Sequence, residues 1–302
     1  MANQRTFLAQ GLSLNGVAVG GLASMAFNAA YRSVVESRSD GAIGSEDVDR
    51  AGLDADVAIE CTDVSKVNAI LAATPGTTTW SGKESGAATW HNYSIGAGGV
   101  IVITGARLNF PKGADATLSL TGKLRFGASA TELDGVIALT GAGGAAPTLT
   151  YPARLYRPTT ASFDPDGAAT AIAPLHIESL SLSLDAQVIQ DFADADVGHT
   201  AVDIVGWQPL RTSLTHRDAK AVSPSNINAQ ILKAVRGVLI VTLLGRGGAA
   251  NQTLTVNNLL FTGSSHRDQA EYSEFTLNGS SGWKNGATVY TLNGSPKLFS
   301  FA

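Results

Sequence analysis

The sequence is short of the residues that usually hold small chemical sites together. Its 302 residues include a single cysteine, Cys61, so neither an intrachain disulfide nor a cysteine metal cluster can form. Because Cys61 ends the apolar segment VAIEC (57–61), we expect it to be a small buried hydrophobic residue.

Long apolar runs are also missing. No segment approaches the roughly 18 consecutive apolar residues of a membrane-spanning helix, so we expect no membrane association. The first ten residues, MANQRTFLAQ, have no cationic start followed by an apolar stretch, so we expect no signal peptide there. Cytosolic synthesis is the simplest interpretation.

Charge is scarce as well. Charged residues make up 15% of the chain and the formal net charge is −4, which leaves no basic surface for gripping nucleic acid. A surface poor in charge and rich in small residues indicates either a protein covered by partner subunits or a weakly charged monomer. A mildly acidic wall that lets DNA pass without binding it is compatible with this balance.

The short motifs that suggest an enzyme are incomplete. Segment 76–85, GTTTWSGKES, contains the Gly-Lys pair of a phosphate-binding loop, but Glu84 replaces the magnesium-binding Ser or Thr and the spacing is one residue too long. Segment 141–146, GAGGAA, has the dinucleotide-binding spacing, but Pro147 follows where a helix would have to begin. We therefore interpret both segments as turns.

One acidic segment deserves comparison with a calcium site. Asp191, Asp194 and Asp196 lie close to His199 in the sequence, and carboxylates at such spacing can bind calcium. The segment lacks the glycine and the distal glutamate of an EF-hand, which favours a solvated acidic loop. A hydrolase on a β scaffold would have to draw its paired carboxylates from these same aspartates.

The remaining candidates are scattered. The histidines, which show no paired metal-ligand spacing, are His91, His176, His199, His216 and His266. The serines near a histidine, which lack a Gly-x-Ser-x-Gly motif, are Ser94, Ser213 and Ser264. The tryptophans, too dispersed to form a stacking platform, are Trp80, Trp90, Trp207 and Trp283. The sequence thus predicts no catalytic residue, no cofactor site and no metal ligand, and hence no enzyme.

Strand patterns dominate what is present. Segment 117–126, TLSLTGKLRF, alternates apolar and polar residues, which predicts a half-buried strand. The residues that this pattern directs to the core are Leu118, Leu120, Leu124 and Phe126. The apolar segment GVIVIT (99–104) precedes it across a predicted loop, 105–116, in which Pro111 and Gly113 indicate a turn.

The chain nearly repeats this hairpin. GVLIVT (237–242) is followed by a predicted loop, 243–252, and then by TLTVNNLLF (253–261). The apolar alternation of the second copy matches that of the first only if one residue is missing near Asn257 and Asn258, which is a one-residue step in the pattern. Such a step inside a paired strand must be absorbed as a bulge or bend, because otherwise the apolar set would change faces.

Matching segments also precede each hairpin. LSLNG (12–16) resembles LSLDA (182–186), and each copy has one amphipathic segment before its GV strand. In the first copy Asp63 can cap a helix over 64–73, and in the second Ser225 can cap a helix over 226–236. This shared order predicts an internal duplication.

The predicted fold is mainly β, with two similar β-sandwich or barrel domains in tandem, each with one flanking α-helix. The domains are predicted at 1–140 and at 175–302, the second with a C-terminal extension, and 141–174 is interpreted as an irregular, Pro- and Gly-rich connector. We expect the two hairpins to superpose, each beside its helix. Segment 34–56, rich in acidic residues, is predicted to be a long loop that reaches a neighbouring subunit.

These features resemble the tail tube (major tail) proteins of long-tailed bacteriophages. The resemblance rests on the sandwich with one helix, on the GK..G..T hairpin region at 82–89 and on the segment A.LNFPKGADATLSLTGKLRF at 106–126. It implies a virion protein made in the host cytoplasm that self-assembles into stacked rings, contacts other tail proteins and conducts DNA without binding it specifically. With two copies of the fold per chain, three chains would form a ring with pseudo-sixfold symmetry.

Other functions remain open at this point. Tail terminators, baseplate proteins and capsid decoration proteins share related sandwiches, and sequence texture separates them poorly. A carbohydrate-binding β module would need a surface row of Trp or Tyr, which the sequence does not display, since aromatic residues make up only 7% of the chain.

Overall fold

The computed structural model describes most of the chain. The described residues are 7–37, 45–84, 89–95, 98–127, 137–139, 155–164, 172–175, 177–191, 198–217, 236–268, 273–281, 290–292, 295–297 and 299–301. The structure confirms the mainly β class, because nearly all of these residues lie in strands. The boundaries at 140 and 174 stay a prediction.

A small sheet of five antiparallel strands is built from the first half of the chain, in the order β2-β1-β5-β6-β9. Its strands are β1 (Phe7–Leu14), β2 (Val17–Val19), β5 (Thr78–Glu84), β6 (His91–Ile95) and β9 (Ile137–Leu139). The tight turn between β1 and β2 uses Asn15 and Gly16, both with positive φ, which these residue types tolerate best.

A large sheet of thirteen strands draws on both halves. Its main path is β11-β10-β15-β16-β17-β14-β12-β7-β8-β4-β3, with β13 paired to β12 and β20 paired to β16. The first-half strands are β3 (Leu22–Ser37), β4 (Ser45–Cys61), β7 (Gly99–Pro111) and β8 (Thr117–Phe126). The others are β10 (Leu155–Asp164), β11 (Ile172–Leu175), β12 (Ile177–Asp191), β13 (Ala201–Trp207), β14 (Leu210–His216), β15 (Gly237–Arg246), β16 (Gln252–Asp268), β17 (Ser273–Ser281) and β20 (Phe299–Phe301).

Two short strands, β18 (Tyr290–Leu292) and β19 (Ser295–Lys297), pair with each other. The predicted first helix is confirmed as one 3₁₀ turn, Val64–Lys66, followed by α1, Val67–Ala72. Its apolar residues are buried and Asp63 stands at the N-cap position, as predicted, but the Asp63 side chain makes no capping hydrogen bond. Instead of a backbone N–H, the Asp63 carboxylate accepts a hydrogen bond from the Ser65 hydroxyl at 2.6 Å. The predicted helix over 226–236 lies, apart from Arg236, outside the described residues.

Both predicted hairpins are present. β8 covers the predicted segment, and its alternating apolar residues are buried. The turn after β7 contains Gly113 with a positive φ, as predicted, but β7 itself extends to Pro111, so residues 105–111 are strand rather than loop. In the same way β15 extends to Arg246, which shortens the second predicted loop.

The predicted irregularity in the second hairpin is confirmed. Gly237 pairs with Leu259 and Leu239 pairs with Val256, so β16 has one residue more than β15 between these two pairs. The bulge contains Asn258 at a φ of 55°. It keeps Val256 and Leu259 on the buried face, which a regular strand could not do.

The two hairpins, which we expected to superpose with each beside its helix, do not have equivalent surroundings. Both lie in the one large sheet: β7–β8 between β12 and β4, and β15–β16 between β10 and β17. The two LSL segments also differ, since Leu12 is in the small sheet and Leu182 is in the large one. Because β12 pairs with β7 from Ser179↔Pro111 to Asp185↔Gly105, the two halves share backbone hydrogen bonds. This placement in one continuous sheet, with different neighbours on each side, counts against the predicted internal duplication.

Two predicted irregular segments contain strands. Within 34–56, Val34 pairs with Asp49 in the β3–β4 ladder, so this is a long ribbon rather than a loop. Within 141–174, β10 pairs with β15 and accommodates Pro158 at a register shift. Acidic residues and prolines were misleading because a strand edge or a wet strand face accepts them without loss of the ladder.

One hydrophobic core extends from Leu12 in the small sheet to Leu277 in β17. The large sheet curls in its second half, since the Ala116 N–H donates to the Tyr156 carbonyl at 2.7 Å although five strands separate β7 from β10 in the order. Asp115 closes the same seam with ion pairs to Arg246 and Arg157. The curl leaves one face of the large sheet on the core and the other outside.

Candidate functional site

The outer face of the large sheet is hydroxylated and nearly uncharged across the strands that join the two halves. On β12, β14 and β17 the outward positions alternate with buried leucines. Those positions are Ser179, Ser181, Ser183, Asp185, Arg211, Ser213, Thr215, Thr276, Asn278 and Ser280, of which only Asp185 and Arg211 are charged. The hydroxyls of Thr215 and Thr276 are 3.1 Å apart and share a hydrogen bond across two strands. The face continues onto β7 through Arg107 and Asn109, which pair with Ser183 and Ser181.

A cavity of about 390 Å³ opens on this face over β12, β14, β16 and β17. Its polar lining comes from serine and threonine hydroxyls, the Asn278 amide and the Arg211 guanidinium. None of the described lining residues is acidic or aromatic. Thr262, at the cavity rim, donates to the Asn278 carbonyl at 3.3 Å. The cavity can therefore offer many hydrogen-bond donors and one positive charge.

A second polar cluster lies where the two halves meet. The Lys123 ammonium is 3.0 Å from Asp54 Oδ1 and 2.7 Å from Asp56 Oδ1, all on the outer face of β8 and β4. Gln190 of β12 donates to Asp54 at 3.5 Å, and His199 Nε2 lies 4.0 Å from the same carboxylate. The His199 carbonyl also accepts the Phe126 N–H at 2.9 Å. These contacts bind the second-half segment to the first-half hairpin.

The cluster shifts two pKa values in opposite directions. Partial burial by itself would raise the pKa of Asp54, but the Lys123 hydrogen bond and charge, with Gln190 and His199, outweigh it and lower that pKa. Partial burial would lower the pKa of Lys123, but Asp56 and Asp54 raise it. Each charge thus stabilises the other, which is the pattern of a structural ion-pair network rather than of a poised acid or base.

The hairpin formed by β12 beyond Asp185 and by β13 carries exposed aliphatic side chains. Ile189 and Val205 are 61% and 62% exposed, and Ile204 is 37% exposed. β13 is hydrogen-bonded to β12 on one edge, and no described strand pairs with its other edge. A free edge beside exposed aliphatic residues is the usual form of a protein contact surface.

The incomplete motifs are dispersed. Lys83 lies in β5, where its ammonium is 5.0 Å from the centre of the Trp90 ring, and a strand rather than a helix follows Gly76. Segment 141–146, Asp194 and Asp196 lie outside the described residues, and Asp191 ends β12. Within the described part of the chain, no three His, Cys, Asp or Glu side chains are grouped to hold a metal ion.

Most of the histidines, serines and tryptophans considered above that the structure describes lie in strands or pack against the core. His199 and His216 are buried, and His216 stacks on Phe275 with ring centres 5.6 Å apart. Trp80 packs between Phe27 and Tyr93, with ring centres 5.8 and 5.4 Å from its own, and is partly buried against the core. His91 and Ser94 lie in β6, Ser213 in β14, and Ser264 and His266 in β16. His176 and Trp283 lie outside the described residues.

Cys61 is fully buried, as predicted. Desolvation, with the nearby charge of Asp63, raises the pKa of its thiol to about 12, so it is a poor nucleophile.

Sequence analysis missed the Asp54–Lys123 cluster and the pairing of Arg107 and Arg211 around Ser183. The alternation in β8 does direct Lys123 away from the core, which was the available signal. Which strands stand next to β8 and β12 depends on long-range pairing, and no local pattern encodes it.

Comparison with known proteins finds no protein family whose sequence model matches the chain and no significant match among curated proteins. Among the described residues, no helix has the length and apolar character needed to cross a membrane.

Proposed function

We propose that the chain is a structural virion protein that self-assembles into stacked rings, three chains to a ring, and forms a phage tail tube. The observation that carries this proposal is the large sheet, which extends through both halves and ends in two strands, β3 and β11, that each pair with one described neighbour. A sheet open at both edges invites edge-to-edge pairing, and closure into a ring satisfies all of these edges together.

The hydroxylated outer face supports the same proposal. A wall that conducts DNA needs to stay wet while contacting phosphate at few points. Serine, threonine and asparagine side chains on β12, β14 and β17 remain hydrated and present little charge. Lysines and arginines in number would hold the DNA back, because each phosphate contact adds affinity.

The exposed aliphatic residues of the β12–β13 hairpin support contacts between copies. Exposed surface of this kind is costly in water and is stabilised when a second copy covers it. Because the hairpin projects beyond the β7 pairing, we assign it to the contact between neighbouring chains of the assembly.

Negative-stain electron microscopy of the purified chain at rising concentration tests the proposal. Hollow tubes with threefold class averages are the expected result. Closed single rings would favour a terminator, baseplate or decoration protein of the virion. Monomers at every concentration would overturn self-assembly and favour a binding module.

A charge on the hairpin tests the assigned contact. Val205→Asp places a carboxylate on a residue that is 62% exposed, so the monomer should keep its thermal midpoint while tube formation is strongly reduced. Gln187→Glu adds the same charge to an exposed position on the same hairpin without removing an aliphatic side chain, and should assemble normally. Equal assembly of both variants would exclude this hairpin from the contact.

A further inference from the structure

Three outward residues of the large sheet form one cross-strand row. Ser183 of β12 pairs with Arg107 of β7 on one side and with Arg211 of β14 on the other. Neighbouring strands are about 4.8 Å apart, so the Cα atoms of the two arginines are separated by roughly 10 Å with Ser183 between them. Two long guanidinium side chains at this separation can both reach a small group held above the serine.

Neither arginine is neutralised by a carboxylate within the described part of the chain. Arg157, Arg217 and Arg246 each have an acidic partner within ion-pair distance, whereas Arg107 and Arg211 have none there. The one side-chain hydrogen bond of Arg211 that the structure gives is long, 3.5 Å to the Gln208 amide oxygen.

Asp185, two residues after Ser183 on β12, forms no ion pair with either arginine in the described part of the chain. Asp185 Oδ1 lies against Gly105, 3.2 Å from the position that a Cβ there would occupy, and it makes no ion pair with Arg107 or Arg211 among the described contacts. The positive charge of the row is therefore available to a ligand.

The chemistry of the adjoining cavity narrows the ligand class. Arg211 and Ser183 line the 390 Å³ cavity together with further hydroxyl groups. A cation would need carboxylate oxygens and a nucleobase would need an aromatic ring to stack on, and the described lining offers neither. Guanidinium groups and hydroxyl donors are the groups that bind oxyanions, and paired arginines favour one that carries more than one charge or several oxygens.

We propose that the row Arg107–Ser183–Arg211 binds a phosphate group, with the two guanidinium groups on opposite sides of it and the Ser183 hydroxyl donating from beneath. All three residues belong to one chain, so the site does not depend on assembly. A phosphate group reaches such a surface either as the free ion or as the phosphodiester of DNA, and the test separates these sources.

The test uses the full chain and two probes, inorganic phosphate and a short DNA duplex. Binding is measured by isothermal titration for phosphate and by fluorescence anisotropy for DNA. We expect at least one probe to bind saturably, and the double variant Arg107→Gln/Arg211→Gln to lose at least tenfold in affinity for it. Arg267→Gln removes the same charge from an exposed position near the end of β16 and should leave the affinity unchanged.

The two probes identify the source. Binding of phosphate alone assigns a free-ion site, and binding of DNA in competition with phosphate assigns a phosphodiester site. For DNA, the double variant should also reduce the slope of log affinity against log salt by about two, one for each lost contact. Failure of both probes to bind, or an equal loss in the Arg267→Gln control, would overturn the proposal. The tube proposal is judged separately, by microscopy.

Discussion

The two GV strands share almost the same residues but have different surroundings. Val102 in β7 is 3% exposed, whereas Ile240, at the matching place in β15, is 39% exposed. The residues beside them, Ile101 and Leu239, are both fully buried. One face of each strand thus meets the core as the apolar pattern requires, and the second face differs because of what the rest of the chain places over it.

The cover over the first strand comes from both halves of the chain, with residues of α1 among those beside Val102. Val102 pairs with Lys123, whose ammonium holds Asp54, and Asp54 is contacted by Gln190 and His199. Val102 and Ile204 of β13 also line a common small cavity of about 160 Å³. The comparison teaches that a buried second face can be supplied by a distant hairpin, so burial there reports tertiary contact rather than strand sequence.

The largest expected difference in stability is between acidic substitutions at Val102 and at Ile240, on the second faces of the two GV strands. Val102→Asp buries a carboxylate beside Lys123, whose ammonium is already paired with Asp54 and Asp56, and should destabilise the protein by about 3–5 kcal/mol, or prevent folding. Ile240→Asp, on the exposed equivalent, should change the free energy of unfolding by less than about 1 kcal/mol. Urea denaturation of the two variants measures both values, and similar losses would remove the difference on which the comparison rests.

Truncation of a core-facing residue should destabilise the protein by a similar amount in either GV strand. Ile101→Ala and Leu239→Ala each empty a fully buried site, so each should cost about 2–5 kcal/mol. The same urea experiment, with unchanged m-values, checks this. A cost below about 1 kcal/mol in only one of the two would show that its half of the core is loosely packed.

The bulge of the second hairpin should give a smaller effect. Asn258 has a φ of 55°, a conformation that disfavours β-branched residues, so Asn258→Val should cost about 1–2 kcal/mol. Asn258→Gly accepts this φ and should stay within about 0.5 kcal/mol of the parent. Thermal unfolding of the pair measures the difference. If valine and glycine behave alike, the bulge does not hold this backbone conformation in solution.

The smallest expected effect on stability comes from the ion pair between Asp54 and Lys123, beside the first hairpin. Because folding lowers the pKa of Asp54, its carboxylate stabilises the folded state above pH 3.8, the ordinary pKa of the group. This stabilisation is lost as the pH falls through the pKa of the folded state. Because folding raises the pKa of Lys123, its ammonium stabilises the folded state below pH 10.5, the ordinary pKa of the group. This stabilisation is lost as the pH rises through the pKa of the folded state. The groups are partly exposed, so the contribution is at most about 1 kcal/mol.

Lys123→Met tests this window. The variant should be less stable than the parent between these two limits, and the difference should shrink at more acidic and more basic pH. Lys66→Met, which removes a lysine outside the cluster, is the control. A difference that does not change with pH would assign the loss to packing of the lysine stem instead of to its charge.

Much of the local fold was predictable. The period-two pattern of 117–126 predicted both the strand and its buried residues, and the spacing around Asn257 and Asn258 predicted the bulge. The ribbon within 34–56 was not predictable in the same way, because its many acidic and polar residues show no regular period-two apolar pattern, and the pairing of β3 with β4 is made by backbone hydrogen bonds. β10 was hidden because Pro158 sits at a register shift that local pattern cannot reveal.

The candidate sites were less predictable than the strands. Arg107, Ser183 and Arg211 are distant in the sequence, and each alone resembles an ordinary polar position on a strand. The register that aligns them, and the one that sets Lys123 beside Asp54, follow from which strands pair. Short motifs hold their functional groups within a few residues of one another, so local patterns point to the acidic segment near His199 and not to these residues.

The sequence by itself determined that alternating segments such as 117–126 are strands and which of their side chains face inward, because alternation acts over a few residues and apolar side chains leave water wherever the chain folds. The tertiary structure alone decided the strand order, the burial of Val102 against the exposure of Ile240, and the row around Ser183. These depend on backbone hydrogen bonds between distant segments, and any two strands of suitable length can form such bonds, so only the complete fold selects the partners.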